Sequence, residues 1–131
     1  MKRLMLAAIT VVALSGCTSA PSVSTGEYAG SIDDFEVEMI GDTSALWVDG
    51  GERIAILTGG SSSCAPYPTA VSVVDGTIEI QTARAGGDVC TADMAAITFE
   101  VETPAGVDAG SAVDVVLVSD DLRTELTVPA L

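Results

Sequence analysis

The stretch TAVSVVDGTIEIQT, residues 69–82, decides the fold. Two runs rich in β-branched residues flank Asp75-Gly76, a pair that tight hairpin turns favour because both turn positions need a positive φ. In the second run, apolar and polar side chains alternate with a period of two, which is typical of a strand buried on one face. The sequence therefore predicts a β-hairpin formed by residues 69–74 and 77–82.

Further short runs with strand character lie on both sides of this hairpin, bounded by turns that contain Gly, Pro or Asp. No window of twelve residues has the 3.6-residue period of an amphipathic helix, and one helical turn at 93–96 is the most that the pattern predicts. Short strands about 8–12 residues apart predict an all-β fold, a small antiparallel β-sandwich or a partly open barrel. The other predicted strands are residues 35–39, 45–48, 53–58, 96–102, 113–118 and 122–128.

Irregular segments and one tryptophan complete this pattern. Residues 59–68 (GGSSSCAPYP) predict a loop, and residues 103–109 break the strands with Pro104 and Gly106. Trp47 lies in the apolar run ALWV, so we expect it in the core rather than on a binding surface. Immunoglobulin domains place the core tryptophan between their two cysteines. Trp47 precedes both cysteines of the domain, which excludes a true immunoglobulin domain.

The first seventeen residues have the pattern of a lipoprotein signal peptide. Residues 4–14 are apolar and follow a basic start, a length that suits a secretory signal and is below the ~20 residues of a membrane span. Leu14-Ser15-Gly16-Cys17 then resembles the lipobox of bacterial lipoproteins, in which the cysteine receives a diacylglycerol and the chain is cut before it. The resemblance implies cleavage of residues 1–16, lipidation of Cys17 and an extracytoplasmic location on the cell membrane.

After cleavage, residues 17–29 are predicted to be the lipidated N-terminus and a flexible tether, because they are small, polar and contain Pro. Residues 30–131 are predicted to form one β-sandwich domain. Cys64 and Cys90 are an even pair in an oxidising compartment and predict a disulfide. It would close a loop of about 25 residues and stabilise the fold by about 3–4 kcal/mol. Two cysteines without histidine make half a zinc site, and they lack the Cys-x-x-Cys spacing of redox sites.

Three segments of the mature chain resemble the layout of small secreted lipoproteins of actinobacteria. They are WVDGG at 47–51, GSSSCAP at 60–66 and CTADM at 90–94. The resemblance implies the same Cys64–Cys90 pairing and implies no activity.

Composition excludes several classes of function. The chain has a net charge of −14, and losing Lys2 and Arg3 with the signal peptide makes it more negative. Such a surface repels nucleic acid, whose binding depends on Lys and Arg. The chain has no histidine, and its one lysine is Lys2. Serine catalysis needs such a base, so we assign Ser61, Ser62 and Ser63 to a turn and predict no catalytic residue, metal or cofactor.

The sequence therefore predicts a non-enzymatic binding or structural module at the cell envelope, attached to the membrane through its N-terminal lipid. Loops on a rigid frame commonly carry binding, so we expect an envelope protein to engage the loop at 59–68. Tyr67, Ser62 and Ser63 are its candidate binding residues, and Tyr67 is expected to be exposed. The sequence specifies no oligomeric state.

Two other functions stay open at this point. A calcium-dependent surface module would use oxygen ligands. Its candidate residues are Asp42, Asp49 and Glu52, taken to cluster around one turn, and Asp120-Asp121 at another. A carboxylate-based hydrolase would need two facing acids in a cleft, and nineteen acidic side chains supply many pairs.

Overall fold

The computed structural model describes residues 20–30, 42–120 and 122–131. The predicted signal peptide, Cys17, Asp121 and the predicted strand at 35–39 lie outside these residues. Within them the chain forms eight strands and two short 3-10 turns, Asp49–Gly51 and Ser62–Cys64. The strands are β1 Gly26–Ala29, β2 Thr43–Val48, β3 Arg53–Gly60, β4 Pro66–Val74, β5 Thr77–Arg84, β6 Ala95–Glu102, β7 Val113–Ser119 and β8 Leu122–Val128.

The strands form two four-stranded sheets, with the orders β1-β6-β3-β2 and β4-β5-β7-β8. The pairs of the first sheet are antiparallel, whereas β5 and β7 in the second sheet run parallel. The parallel pair follows from the chain path. After β5 the chain crosses to the first sheet as β6 and runs back, so β7 begins at the same end as β5 and runs in the same direction. The predicted all-β sandwich with one disulfide is confirmed, with a mixed second sheet in place of a purely antiparallel one.

The core lies between the two sheets and is formed by the inward-facing apolar side chains. Trp47, 7% exposed, belongs to this cluster, and its Nε1 donates a hydrogen bond to the carbonyl oxygen of Pro129 at 2.8 Å. That bond satisfies the one polar atom that the indole brings into the core. The prediction that Trp47 is a core residue is confirmed. The cluster comprises Ala45, Trp47, Ile54, Ile56, Ile78, Ile80, Phe99, Val101, Val115, Leu117 and Val128.

Strand β3 is buried on both faces. Ile54 and Ile56 belong to the core cluster, and Ala55 and Leu57, which alternate with them on the opposite face, are also fully buried. A strand buried on both sides has no polar face to alternate with. This explains why RIAILT is a nearly continuous apolar run rather than an alternating one.

One carboxylate is buried on the outward face of the first sheet. Glu100, 7% exposed, is the only charged residue that is buried in the described part of the chain. Tyr28 donates its hydroxyl to Glu100 at 3.1 Å, and the Arg53 guanidinium bonds both Glu100 and Asp49. Desolvation and the bond to Glu100 raise the pKa of Tyr28. The carboxylate is therefore paired and hydrogen-bonded, as a buried charge must be.

The loop predicted at 59–68 is shorter than expected and covers 61–65. Gly59 and Gly60, which were predicted to begin the loop, instead extend β3, and Gly60 pairs with Ala95. Pro66 already belongs to β4, which lies at the edge of its sheet. An edge strand tolerates the missing amide hydrogen of proline.

Two other boundaries also differ from the predictions. The helical turn predicted at 93–96 is wrong, because Ala95 begins β6 and its backbone is used in the sheet. The tether predicted at 17–29 is wrong for β1, which pairs antiparallel with β6. Val23 also donates its amide to the carbonyl oxygen of Pro68 at 2.9 Å. The folded domain therefore begins before residue 30.

The strand directions give the sandwich two distinct ends. We call the end with residues 61–65, the β5–β6 connection at 85–94 and the β7–β8 turn the disulfide end. The opposite, far end carries the turns at 49–51 and 75–76, together with the C-terminus.

Candidate functional site

The predicted disulfide is present and joins two connections that lie far apart in sequence. Cys64 and Cys90 are bonded, with their Cα atoms 5.5 Å apart. Cys64 ends the 3-10 turn after β3, and Cys90 lies in the connection from β5 to β6. Arg84 donates a hydrogen bond to the Sγ of Cys90 at 3.3 Å. The bridge therefore holds together the two loops of the disulfide end.

A second set of bonds holds the same two loops, and we call it the serine cluster: Ser61, Ser62, Ser63, Thr91 and Asp93. Ser63 Oγ accepts a hydrogen bond from the Thr91 amide at 2.9 Å. The Asp93 carboxylate accepts bonds from the Ser62 amide, at 3.3 Å, and from the Thr91 hydroxyl. Bonds from Ser62 and Thr91 lower the pKa of Asp93 to about 2, since they favour the charged carboxylate.

Gly86 allows the two loops to approach each other. Its φ of +81° is in the left-handed region, and a Cβ at this position would lie 2.3 Å from the carbonyl oxygen of Ser63. The neighbouring Ala85 donates its amide to the carbonyl oxygen of Ala65 at 2.9 Å. Backbone contact this close requires a residue without a side chain. Three independent features thus fix the geometry of the disulfide end.

A cleft of about 270 Å³ opens beside the disulfide end, between the edge strands β1 and β4 and next to the start of β6. Its volume is just below the ~300–1,000 Å³ of typical small-molecule sites. The cleft therefore suits an apolar side chain or a short apolar segment. We call it the β1–β4 cleft, and the larger apolar side chains in its wall are Tyr28, Pro66, Tyr67 and Ile97.

Tyr67 has a different environment from the one predicted. It is half-buried rather than exposed, because its ring forms part of the wall of the β1–β4 cleft. Its hydroxyl donates a hydrogen bond to the carbonyl oxygen of Ala20 at 3.2 Å. The hydroxyl therefore contacts the incoming N-terminal segment, and the ring lies in the wall of the cleft rather than at a loop tip.

The structure separates the three predicted binding residues. Ser62 and Tyr67 both line the β1–β4 cleft, whereas Ser63 is used inside the serine cluster. Within the serine cluster, hydrogen bonds join the three serines to Thr91 and Asp93. The ionisable group in these contacts is the Asp93 carboxylate. A carboxylate with a pKa of about 2 is too weak a base to activate a serine hydroxyl near neutral pH. The cluster is suited to holding loops together.

The acidic turn proposed for calcium is not one cluster. Asp42 precedes β2 and Asp49 follows it, so the length of that strand separates them. Asp49 is bonded to Arg53. Across residues 20–30, 42–120 and 122–131, no group of three His, Cys, Asp or Glu side chains is placed to hold a metal ion. The interpretation of Asp42, Asp49 and Glu52 as one turn was wrong for Asp42, because a strand lies between.

One groove brings two carboxylates together, on the outward face of the second sheet. Asp114 and Glu125 both line it, on the neighbouring strands β7 and β8. Both residues are exposed, and Asp114 accepts a hydrogen bond from Thr127 at 3.0 Å. A glycosidase acid needs a desolvated site that keeps it protonated. An open sheet face does not provide that environment.

Sequence reasoning missed the roles of Asp93, Thr91 and Gly86. The segment CTADM carried a signal, because Thr and Asp within three residues of a bridged cysteine are suited to hydrogen-bonding the facing loop. Which loop faces them depends on the pairing of β3 with β6, a long-range contact. Local pattern therefore could not assign the partners.

No protein-family model, curated protein or solved structure matches this chain. Within its described residues, no helix is both long enough and apolar enough to cross a membrane.

Proposed function

We propose that this protein is a lipid-anchored, non-enzymatic binding module on the extracytoplasmic side of the cell membrane, and that the β1–β4 cleft is its binding site. The observation that carries this proposal is an apolar cleft between strands, bordered by loops that a disulfide, a serine cluster and a glycine contact hold together. A site that is rigid before binding loses little conformational entropy when a partner binds. The proposed occupant is an apolar side chain of an envelope protein.

Lipidation at Cys17 rests on the lipobox-like Leu14-Ser15-Gly16-Cys17. Detergent phase partitioning tests it. Wild type is expected in the detergent phase, and Cys17→Ser in the aqueous phase. The Cys64→Ser/Cys90→Ser double variant is the matched control and should still partition into detergent. If Cys17→Ser also enters the detergent phase, the anchor proposal is wrong.

Binding in the cleft is tested by filling it. Ala65 is half-buried and lines the cleft, so Ala65→Trp should occupy the space that a partner side chain needs. Ala70→Trp adds the same side chain at an exposed position of β4 outside the cleft. A photocrosslinker at Ala29, at the rim, should capture one defined envelope protein in wild type and Ala70→Trp but not in Ala65→Trp. Equal capture in both variants would contradict the proposal.

The non-enzymatic part rests on the absence of histidine and of any lysine after Lys2, and on hydroxyls engaged in the serine cluster. Purified protein should not hydrolyse ester or glycoside substrates above background. Hydrolysis that disappears in Ser62→Ala, or in Asp114→Asn, would show that the protein is an enzyme.

A further inference from the structure

The N-terminal segment enters the domain at the disulfide end and is held there. The Ala20 carbonyl oxygen accepts the hydroxyl hydrogen bond of Tyr67, and Val23 is bonded to Pro68. Ser22 and Ser24 donate their hydroxyls to Glu27, at 2.7 and 2.6 Å. The described N-terminal segment, residues 20–30, is therefore fixed to the sandwich.

The chain between this fixed point and the proposed anchor is very short. Two residues, Thr18 and Ser19, lie between Cys17 and Ala20. The three steps along the chain span at most about 3.6 Å each, or about 11 Å in total. A strand of eight residues, such as β3, is about 26 Å long. The anchor therefore cannot reach the far end, and the domain cannot turn over. The disulfide end stays next to the membrane.

This end presents apolar side chains on a rigid support. Val89 is 87% exposed and directly precedes Cys90, and Met94 is 50% exposed and directly follows Asp93. Leu122, 64% exposed, is the first residue of β8 and lies at the same end. Exposed valines also occur at the far end, at Val73 and Val74. Exposed apolar side chains therefore do not distinguish the two ends. The ends differ because the N-terminal segment, which leads to the anchor, enters at the disulfide end.

We propose that the disulfide end is a membrane-docking surface, with Val89 and Met94 entering the boundary between headgroups and acyl chains of the outer leaflet. The proposal rests on the lipidation of Cys17 in the proposed function. The nearby Arg84, exposed beside Cys90, is placed to meet a lipid phosphate. Apolar side chains at this depth add to the hold of the lipid anchor and fix the orientation of the domain.

The test compares two exposed valines at opposite ends. Val89→Trp and Val73→Trp are made in the full-length protein, purified with its lipid and placed in phosphatidylcholine vesicles with brominated acyl chains. Bromine quenches tryptophan emission at short range, and the buried Trp47 gives the same background in both proteins. We expect Val89→Trp to be quenched about twofold more strongly than Val73→Trp, because apolar groups at the interface lie ~5–10 Å deep.

Equal quenching in the two variants, or stronger quenching of Val73→Trp, would overturn the docking surface. Flotation of the same vesicles separates this result from failure of the anchor. Protein that floats without selective quenching of Val89→Trp keeps its anchor and refutes only the orientation. Protein that does not float refutes the anchor and the docking surface together. A variant with a long Gly-Ser insertion between Cys17 and Ala20 should float while its selective quenching decreases, since the short link no longer orients the domain.

Discussion

Replacing Gly86 by alanine should destabilise the domain by about 3 kcal/mol. At φ +81° an L-residue adopts a left-handed conformation that costs about 1–2 kcal/mol. The added Cβ would also lie 2.3 Å from the carbonyl oxygen of Ser63, so one of the two loops must move. Overpacking of this kind costs about 1–3 kcal/mol. The neighbouring Gly87 is the matched control, because a Cβ added there would meet nothing within 4 Å and its φ is not positive.

Urea unfolding of the oxidised domain, followed by the fluorescence of Trp47, measures both free energies. Gly87→Ala should be neutral or more stable by up to about 1 kcal/mol, since alanine restricts the unfolded chain. The two variants should therefore differ by about 3–4 kcal/mol, equivalent to roughly 15 °C in melting temperature for a domain of about 110 residues. The m-values must agree, and mass spectrometry must show the disulfide intact in both. A difference below about 0.5 kcal/mol, the usual range of surface substitutions, would refute this reading of the loop contact.

Three further predictions concern the disulfide, Asp93 and Glu100. Cys64 and Cys90 are 26 residues apart, so Cys64→Ser/Cys90→Ser should lose about 3.5 kcal/mol of unfolding free energy by the chain-entropy relation, and a loss below about 1 kcal/mol would contradict it. Asp93→Asn should be less stable than wild type at pH 7, and the difference should disappear between about pH 4 and pH 2. The pKa of Asp93 falls from 3.8 to about 2 on folding. The charged carboxylate therefore stabilises the fold above the unfolded pKa, and this stabilisation is lost as the pH falls through the folded pKa. Denaturant titrations across this range measure the difference, and one that does not change with pH would count against the serine cluster. Glu100→Gln should lower the free energy of unfolding by about 1–3 kcal/mol, because it removes the buried negative charge that pairs with Arg53. The exposed Glu125→Gln should change it by less than about 0.5 kcal/mol in the same assay.

The strands were predictable wherever local chemistry sets the backbone. Asp75-Gly76 forms the predicted hairpin turn, and both residues have positive φ. The alternation at residues 96–102 follows the sheet closely, with Phe99 inward and Thr98 outward. Trp47 was predictable because an apolar run surrounds it. In each case the deciding information lies within a few residues of the position concerned.

The remaining features depend on contacts between distant parts of the chain. Gly60 and Pro66 carry turn chemistry, yet both belong to strands because Ala95 and β5 supply hydrogen-bonding partners. Residues 20–25 also have the composition of a linker. They are ordered by Pro68, Tyr67 and Glu100, which no local pattern could bring to them.

The two proposals constrain each other through the path of the chain. The N-terminal segment is fixed at the disulfide end, whereas Leu131 is bonded to Ala109 at the far end. With the disulfide end on the outer leaflet, the β1–β4 cleft would open sideways, close to the membrane surface. A partner that fills it would therefore have to present an apolar side chain next to the bilayer, as an envelope protein does where it leaves the membrane. A crosslink from Ala29 to a domain far above the membrane would be incompatible with this orientation. That would hold even if Ala65→Trp abolished the crosslink and so located the binding site in the cleft.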